Sequence, residues 1–509
     1  MDRPPNPSLA RQPRPCATVA GHTLFAHRRE ARGGTEPVVR TQVTSEAQAP
    51  DRRGEIRAVI AMSVPVVVTM MSRAFMDVVD YTMLTGLHQP EAQAAILPSQ
   101  IIMWAFIILG MGMASMVNTF ASQSLGRGDL PAAASYAWQA VHIAIAFGIA
   151  ALALRFVLPT LIVLLGHEPA VQALELAYTR IALFTVGPTL ASYGLGWFFI
   201  GVHRPWPTMW SAIEANVVNV AVNYVLIFGH LGVEPMGIAG AAWGTMAAVS
   251  YRSLRLGLLL VAPSINELFQ SRRMWRPSRR RLADLCRVGL PFSIQMFCEV
   301  LVWAVFVSLL IGRTFGTLHL IATNTAWQYM RIAFMPAMGL GQAVQALVGK
   351  SIGAGRQDRA IREVRIAAVL VLAYMFVLSL IYAAKADALI ALFNDRPEVV
   401  AIGAKVMLCT AVFLLFDAIS VTYASALRGA GDTFVPSVFF AVSHWVVIVG
   451  GGWLVARTFP QLGSVGPWMA ASVLIIVTAV FLWWRWHGRA WMKLDLFKAD
   501  NLGRDREHV

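Results

Sequence analysis

The chain has 509 residues, of which 57% are hydrophobic and only 14% charged, with a mean hydropathy of +0.59. A soluble globular chain carries about a quarter charged residues, so this composition excludes an ordinary soluble enzyme or binding module and describes a chain that crosses a membrane many times. The net charge of +14 does not point to nucleic acid, because the basic residues collect in alternate loops.

Residues 1–54, rich in Pro, Arg, Thr and Ala and without apolar periodicity, read as a disordered cytoplasmic tail. Crossing hydrocarbon as a helix takes about 20 mostly apolar residues, and twelve such stretches follow. Six lie in an N-lobe over 55–262: 58–84, 95–121, 137–160, 171–200, 208–229 and 237–262. Six more lie in a C-lobe over 288–487: 288–312, 321–347, 361–384, 399–426, 436–457 and 465–486. Residues 263–287 read as a cytoplasmic linker, continuing a basic stretch that begins at 252, and 488–509 as a cytoplasmic C-terminal tail. The predicted fold class is thus an all-α integral membrane protein of twelve transmembrane helices.

Positive charge orients these spans. Arg272, Arg273, Arg276, Arg279, Arg280 and Arg281 follow the sixth stretch. Lys350, Arg356, Arg359, Arg362 and Arg365 follow the eighth, and Arg485, Arg489, Lys493 and Lys498 the twelfth. The intervening loops hold little beyond Arg313, Lys385 and Arg396. By the positive-inside rule both termini are cytoplasmic.

The two lobes repeat each other at an offset of about 227 positions. Pro65 answers to Pro291, Gly86 to Gly312, Gly112 to Gly339, Gly126 and Gly128 to Gly353 and Gly355, Gly201 to Gly429, and Gly237 and Gly240 to Gly463 and Gly466. Gly and Pro recur this way where backbone geometry recurs. Six spans per copy is an even number, so the repeat is parallel, about an axis along the membrane normal, and a substrate site is expected where the copies meet.

Ionisable groups inside such spans cost about 2.5 to 3.5 kcal/mol each on insertion scales and are functional candidates. The first span places Arg73, Asp77 and Asp80 on one helix face. The seventh holds Glu299 and the tenth Asp417, both near mid-membrane, and the fifth carries an Asn216, Asn219 and Asn223 stripe that can line a cavity or bond a neighbouring helix. In the repeat register Glu299 corresponds to Arg73, Asp80 to Phe306 and Asp417 to Thr189, so the charges break the symmetry that the scaffold keeps. A structural hydrogen bond to a neighbouring helix is the competing role for Asp80. His142 and His444 read as packing histidines, Glu214 as interfacial, and Arg331 as paired or near a cavity. Cys16, Cys286, Cys298 and Cys409 lack the spacing of a metal site or a disulfide framework.

Six motifs in order resemble the multidrug and toxic compound extrusion (MATE) family over residues 57–487. They are MDVVDYTMLTGL around Asp80, ASQSLGRGD ending the second span, NVVNVAVNYVLIFG with GIAGAAWGT in and after the fifth, VGLPFSIQMFCE opening the seventh, ALVGKSIGAG ending the eighth, and FDAISVTYASALRGAGDT in the tenth. The resemblance implies a V-shaped, two-lobe exchanger in a bacterial inner membrane that expels amphipathic, usually cationic compounds in return for Na⁺ or H⁺. It implies coupling and cavity roles for Asp80, Glu299, Asp417, Asn219 and Asn223, with Glu299 and Asp417 resembling the branch whose C-lobe carboxylates bind the coupling cation. It implies no cofactor, a small-molecule substrate, contact with membrane lipid, no nucleic acid and a monomer. Arg73 departs from the family pattern; paired with Asp77 or reaching Glu299, it admits an anionic substrate. A flippase for a lipid-linked precursor is the rival transporter reading, and no HExxH, DxD or Ser-His-Asp grouping supports an enzyme.

Overall fold

The computed structural model describes residues 52–85, 90–164 and 167–497, and every regular element among them is helical. The spans are α1 (Arg52–Thr85), α2 (Pro90–Arg127), α3 (Leu130–Leu154), α4 (Val171–Gly201), α5 (Trp206–Phe228) and α6 (Ile238–Val261). The second half continues with α7 (Arg279–Arg313), α8 (Thr317–Gly353), α9 (Gln357–Ala384), α10 (Pro397–Ala430), α11 (Phe434–Thr458) and α12 (Val465–His487). Among the described residues eleven helices are singly long and apolar enough to cross a membrane; α6 makes twelve when joined to the short helix Pro263–Phe269, from which it is bent by 57°. Pro263 causes the bend, since the residue before a proline is pushed out of helical geometry, and Ala262 there is extended. The predicted linker is shorter than expected: α7 begins at Arg279 because the Ser278 hydroxyl caps it, accepting from the Arg281 amide at 3.4 Å.

Helix crossings obey the repeat. α1 packs on α8, and its counterpart α7 packs on α2. A Cβ added to Gly112 would lie 2.6 Å from Ser293 Cα, and one on Gly339 would lie 2.7 Å from Val67 Cα; Val67 and Ser293 are themselves repeat counterparts. At the basic ends of the same helices Gly126 abuts the backbone of Lys350 and Gly353 abuts that of Gln123, again a symmetric exchange. Gly112 and Gly339 are therefore points where α2 touches α7 and α8 touches α1 backbone to backbone, and Gly126 and Gly353 are points where α2 touches α8. Of the predicted landmarks, Gly86 lies outside the described residues.

The core divides along the membrane normal. At the end where α2, α8 and α10 terminate, one hydrophobic core takes residues from both lobes, including Met116, Phe120, Phe198, Leu347 and Leu427. Farther out, the lobes have separate cores, one built only from the C-lobe around Phe306, Leu414 and Trp468, the other only from the N-lobe around Ile107, Leu183 and Leu190. Side-chain amides and hydroxyls cross the shared end. Asn118 donates to Gln342 O at 3.0 Å, Gln123 to Gly429 O at 2.9 Å, Thr119 to Arg428 O at 2.8 Å, and Gln345 to Thr119 Oγ1 at 2.9 Å. His203, in the loop between α4 and α5, adds an Nε2 contact of 3.2 Å to Ala346 O.

After α12 the chain doubles back beneath this seal. Trp491 stacks on Trp486 with ring centroids 4.3 Å apart, Leu496 covers Gly431, and Phe497 enters the N-lobe between Phe120 and Tyr136 at 5.9 and 6.4 Å. The Arg127 guanidinium lies 4.3 Å above the Phe497 ring. Exposed apolar side chains such as Ile149 on α3, Val369 and Val377 on α9 and Val480 on α12 form the outer surface, as hydrocarbon contact requires. Cys286, Cys298 and Cys409 are free; Cys16 lies outside the described residues, as does the predicted tail up to residue 51.

Candidate substrate and coupling sites

The N-lobe polar centre follows from spacing. Asn219 and Asn223 sit one turn apart on α5, so their amides project from one face, and that face meets α1 at Asp80. Asn223 Nδ2 donates to Asp80 Oδ1 at 2.6 Å and lies 3.2 Å from Asn219 Oδ1, with both asparagines fully buried. Gly244 of α6 makes the room, because a Cβ there would collide with the Asn223 amide. Asn219 Nδ2 and Asn223 Oδ1 are buried without hydrogen-bond partners. The centre thus offers one donor and one acceptor to a ligand, against the rule that buried polar groups are paired.

One turn deeper, Asn216 donates to Ser72 O and Ser72 Oγ, both at 2.7 Å. Asn216 therefore both bonds a neighbouring helix and lines a cavity of about 20 Å³ between α1, α5 and α6, together with Thr69, Arg73, Met76 and Arg252. Arg73 also sits 5.5 Å from the Trp104 ring centroid. Whether Asp77 pairs with it concerns a side chain outside the described residues. Arg252, read from sequence as part of the basic stretch leading into the linker, is instead a residue of α6 facing this cavity. Glu214, read from sequence as interfacial, accepts from Tyr251 OH at 3.0 Å and pairs with Arg255 at 3.2 Å.

The C-lobe arranges its charges differently. Asp417 is only 5% exposed, and its Oδ2 is buried without a partner. Glu299, half-buried on α7, is close enough to act electrostatically on both Asp417 and Arg428. Arg428 is held by Ser425 Oγ at 2.8 Å and by the Phe292 ring at 4.8 Å, while Lys405 is exposed and far along the helix. Ser420, one turn beyond Asp417 and likewise buried with an unpartnered hydroxyl, shares its face. No group of three His, Cys, Asp or Glu side chains able to hold a metal occurs among the described residues; a Na⁺ held by Glu299 and Asp417 needs hydroxyl or carbonyl oxygens as well.

Asp80, Asn219 and Asn223 are thus brought together in one lobe, and Glu299 with Asp417 in the other. Sequence reasoning passed over Arg252, Ser420 and Glu175, a carboxylate 1% exposed on α4 whose Oε1 lies 2.7 Å from His167 Nδ1. It also gave no sign that Phe306–Arg313 of α7 and His444–Gly451 of α11 are π-helical and pack on one another. In the repeat register these are the segments that carry Asp80 and the asparagines in the N-lobe. Of the remaining predicted residues, His444 Nδ1 lies 2.8 Å from Phe440 O, His142 Nδ1 is buried without a partner, and Arg331 is exposed.

The two-lobe fold recurs in known proteins. The sequence profile of the MatE family matches residues 65–225 and again 291–454, so the profile itself falls twice, one match per lobe. The chain is 29% identical over 436 residues to the probable multidrug resistance protein NorM of Rhizobium meliloti, covering 84% of this chain and 92% of that one. In structure it is similar to the outward-facing conformation of a multidrug resistance MATE family transporter of the MOP superfamily, with a TM-score of 0.79 at 19% identity over 87% of this chain and 97% of that one. It is also similar to a MOP superfamily transporter from Pyrococcus furiosus, described as having a binding pocket of reverse polarity that suggests a different function, with a TM-score of 0.76 at 20% identity over 86% and 97% of the two chains. A double profile match over both lobes, on an all-helical two-lobe fold, means that the chain belongs to the MATE family of membrane transporters.

Proposed function

We propose that the protein is a secondary active antiporter that exports amphipathic small molecules, cationic ones foremost, in exchange for Na⁺ or H⁺. The observation that carries this reading is the C-lobe pair, in which buried Asp417 has an unpartnered oxygen and a second carboxylate, Glu299, beside it. A charge taken out of water needs a counter-charge, which a proton, Na⁺ or an organic cation supplies, and these occupants exclude one another. The separate polar centre at Asp80, Asn219 and Asn223 serves as the substrate cavity, where a cationic head faces Asp80. A seal at one end and separate lobe cores at the other support rocking of the lobes about the membrane centre, with occupancy shifting the balance of states. The protein acts as a monomer in a bacterial inner membrane without a cofactor; with both termini cytoplasmic, the seal faces the cytoplasm and the cleft opens outward. The multidrug resistance name of its relative supports drug-like substrates.

The test is efflux from proteoliposomes under separately imposed Na⁺ and pH gradients with a panel of amphipathic dyes. Dye movement that follows one gradient and collapses with it is the expected result; indifference to both gradients refutes the exchanger. A second reading, export of anionic compounds, is favoured by the guanidinium groups of Arg73 and Arg252 that line the N-lobe cavity.

A further inference from the structure

The segment after α12 is anchored on the C-lobe and ends in the N-lobe. Arg485 of α12 donates to both carboxylate oxygens of Asp432, just past α10, at 2.8 and 3.2 Å. Trp491, 1% exposed, stacks on Trp486 and donates to its carbonyl at 2.9 Å. Leu496 then lies over Gly431, where a Cβ would collide with it. The Asp495 carboxylate accepts from the Phe497 amide at 2.9 Å and turns the chain. The Phe497 ring, 6% exposed, is seated against Phe120 of α2 and Tyr136 of α3, with the Arg127 guanidinium over its face. The seat belongs to one lobe and the strap to the other, so they stay together only while the lobes are closed at this end. Burial of the ring therefore favours the closed state and contributes nothing to a state that lacks it.

We propose that residues 491–497 are a release latch on alternating access, in which the Phe497 ring holds the sealed state and must leave its N-lobe seat before the lobes part at that end. The inference rests on the rocking motion given above and adds to it an element that sets the balance between the two states. The side-chain bonds across the seal, from Asn118, Thr119 and Gln123 to backbone carbonyls of the other lobe, exchange protein partners for water when the seal opens. The aromatic seat has no such substitute, because water does not replace a lost apolar contact. The ring comes from a segment outside the twelve spans, so it can be withdrawn without moving a helix out of its lobe, and its tether to α12 keeps it close enough to return. Tyr136 also bonds Asp284 of α7 at 3.0 Å, so opening draws the C-lobe away from this residue on two sides.

Hydrogen–deuterium exchange of the full-length protein in nanodiscs, read peptide by peptide, tests it. Phe497→Ala should speed exchange about tenfold at the sealed ends of both lobes, over 115–125 of α2 and 343–352 of α8, the scale of one buried ring acting on an opening equilibrium. At the opposite ends, over 103–109 of α2 and 317–325 of α8, exchange should slow, because lobes that part at one end approach at the other. Phe497→Leu, which keeps an apolar side chain in the seat and guards against a folding defect in the first variant, should show part of both changes. Leu496→Ala, which loosens the strap on its C-lobe side and leaves the Phe497 ring in place, should show them too. Faster exchange confined to residues 120–136 would mean local packing only, and that outcome or no change at all would overturn the latch. Gly353→Leu, which forces the seal through the Gln123 backbone, separates the two ideas. If it produces the opposed changes and the strap variants do not, rocking stands and the latch falls; if no variant produces them, both fall.

Discussion

The two lobes share their backbone crossings and differ in almost everything that bears charge. In the N-lobe the carboxylate of Asp80 accepts a hydrogen bond from Asn223 on a regular helix. In the C-lobe the corresponding position is Phe306, fully buried against Trp303 and Trp468 at 5.4 and 5.5 Å, and the helix there is π-wound. The C-lobe keeps its carboxylates elsewhere, on Glu299 and Asp417, within electrostatic reach of each other, with Asp417 Oδ2 unpartnered. A repeat constrains glycines because a Cβ at the crossing would push two backbones apart whatever the chemistry. It places no such demand on cavity side chains, so one lobe has a hydrogen-bonded polar centre and the other two carboxylates with Arg428 within electrostatic reach of Glu299.

The largest test of that division is Glu299→Gln. It keeps size and hydrogen bonding while removing charge and proton, so the variant should reach the membrane at normal levels and lose gradient-driven export, with Glu299→Asp retaining part. Full transport by the Gln variant at matched expression would move coupling into the N-lobe. Next in size is a contrast in stability. Asn223→Ala strips Asp80 of its donor and should cost about 1–3 kcal/mol, whereas Asp417→Asn removes a charge whose Oδ2 has no partner to lose and should leave the unfolding temperature nearly unchanged; equal losses would mean that the two centres are alike. Gly112→Leu and Gly339→Leu should each open the packing, with matching increases in cysteine labelling at the seal. Unequal increases would break the packing symmetry.

The smallest expected effect concerns His203. Burial, and then the positive charge of Lys350, hold its imidazole down from the ordinary 6.5 to about 3. Its folded-state value lies below its unfolded one, so its contribution to stability is complete above about pH 6.5 and is lost as the pH falls from there toward 3. The wild-type unfolding temperature should therefore drop between pH 7 and pH 5, and His203→Gln should flatten that slope. An unchanged slope would show that His203 takes no part in the seal. The second lobe has no such pH dependence to lose at this position, since its counterpart is Gly431; both residues adopt left-handed backbone, with φ of 60° and 86°, a conformation that glycine tolerates and histidine does not favour.

What the sequence made legible follows the same line. The twelve spans, the two halves and the glycine crossings are written in hydropathy and in residues that permit only one geometry. Asp80 and the asparagines were singled out through the resemblance of their motifs, and the i, i+4 spacing of the asparagines fixed their common face, but the hydrogen bond between Asp80 and Asn223 was not foreseen. Arg252 was not, because an arginine near the end of a span looks the same whether it points to a basic loop or back into a cavity; only the packing of α6 on α5 decides. Ser420 was hidden for a similar reason, being one hydroxyl among many small residues of α10. The π-helical segments leave no compositional trace, since winding there answers to tertiary packing around Trp468.

The strap from Trp491 to Phe497 has a consequence for the order in which the molecule is assembled. Synthesis proceeds from the N-terminus, and units fold as they emerge. The N-lobe surface formed by Phe120, Tyr136 and Arg127 is complete after three spans, yet its aromatic lid is made only after all twelve. Until Phe497 is made, that surface is covered in part, with Asp284 and Arg281 of α7 against Tyr136, and the joint between the halves lacks its last fastening. A chain stopped after α12 should therefore insert normally and yet be more readily cleaved at the loop between α2 and α3, a difference that limited proteolysis of nascent chains would detect.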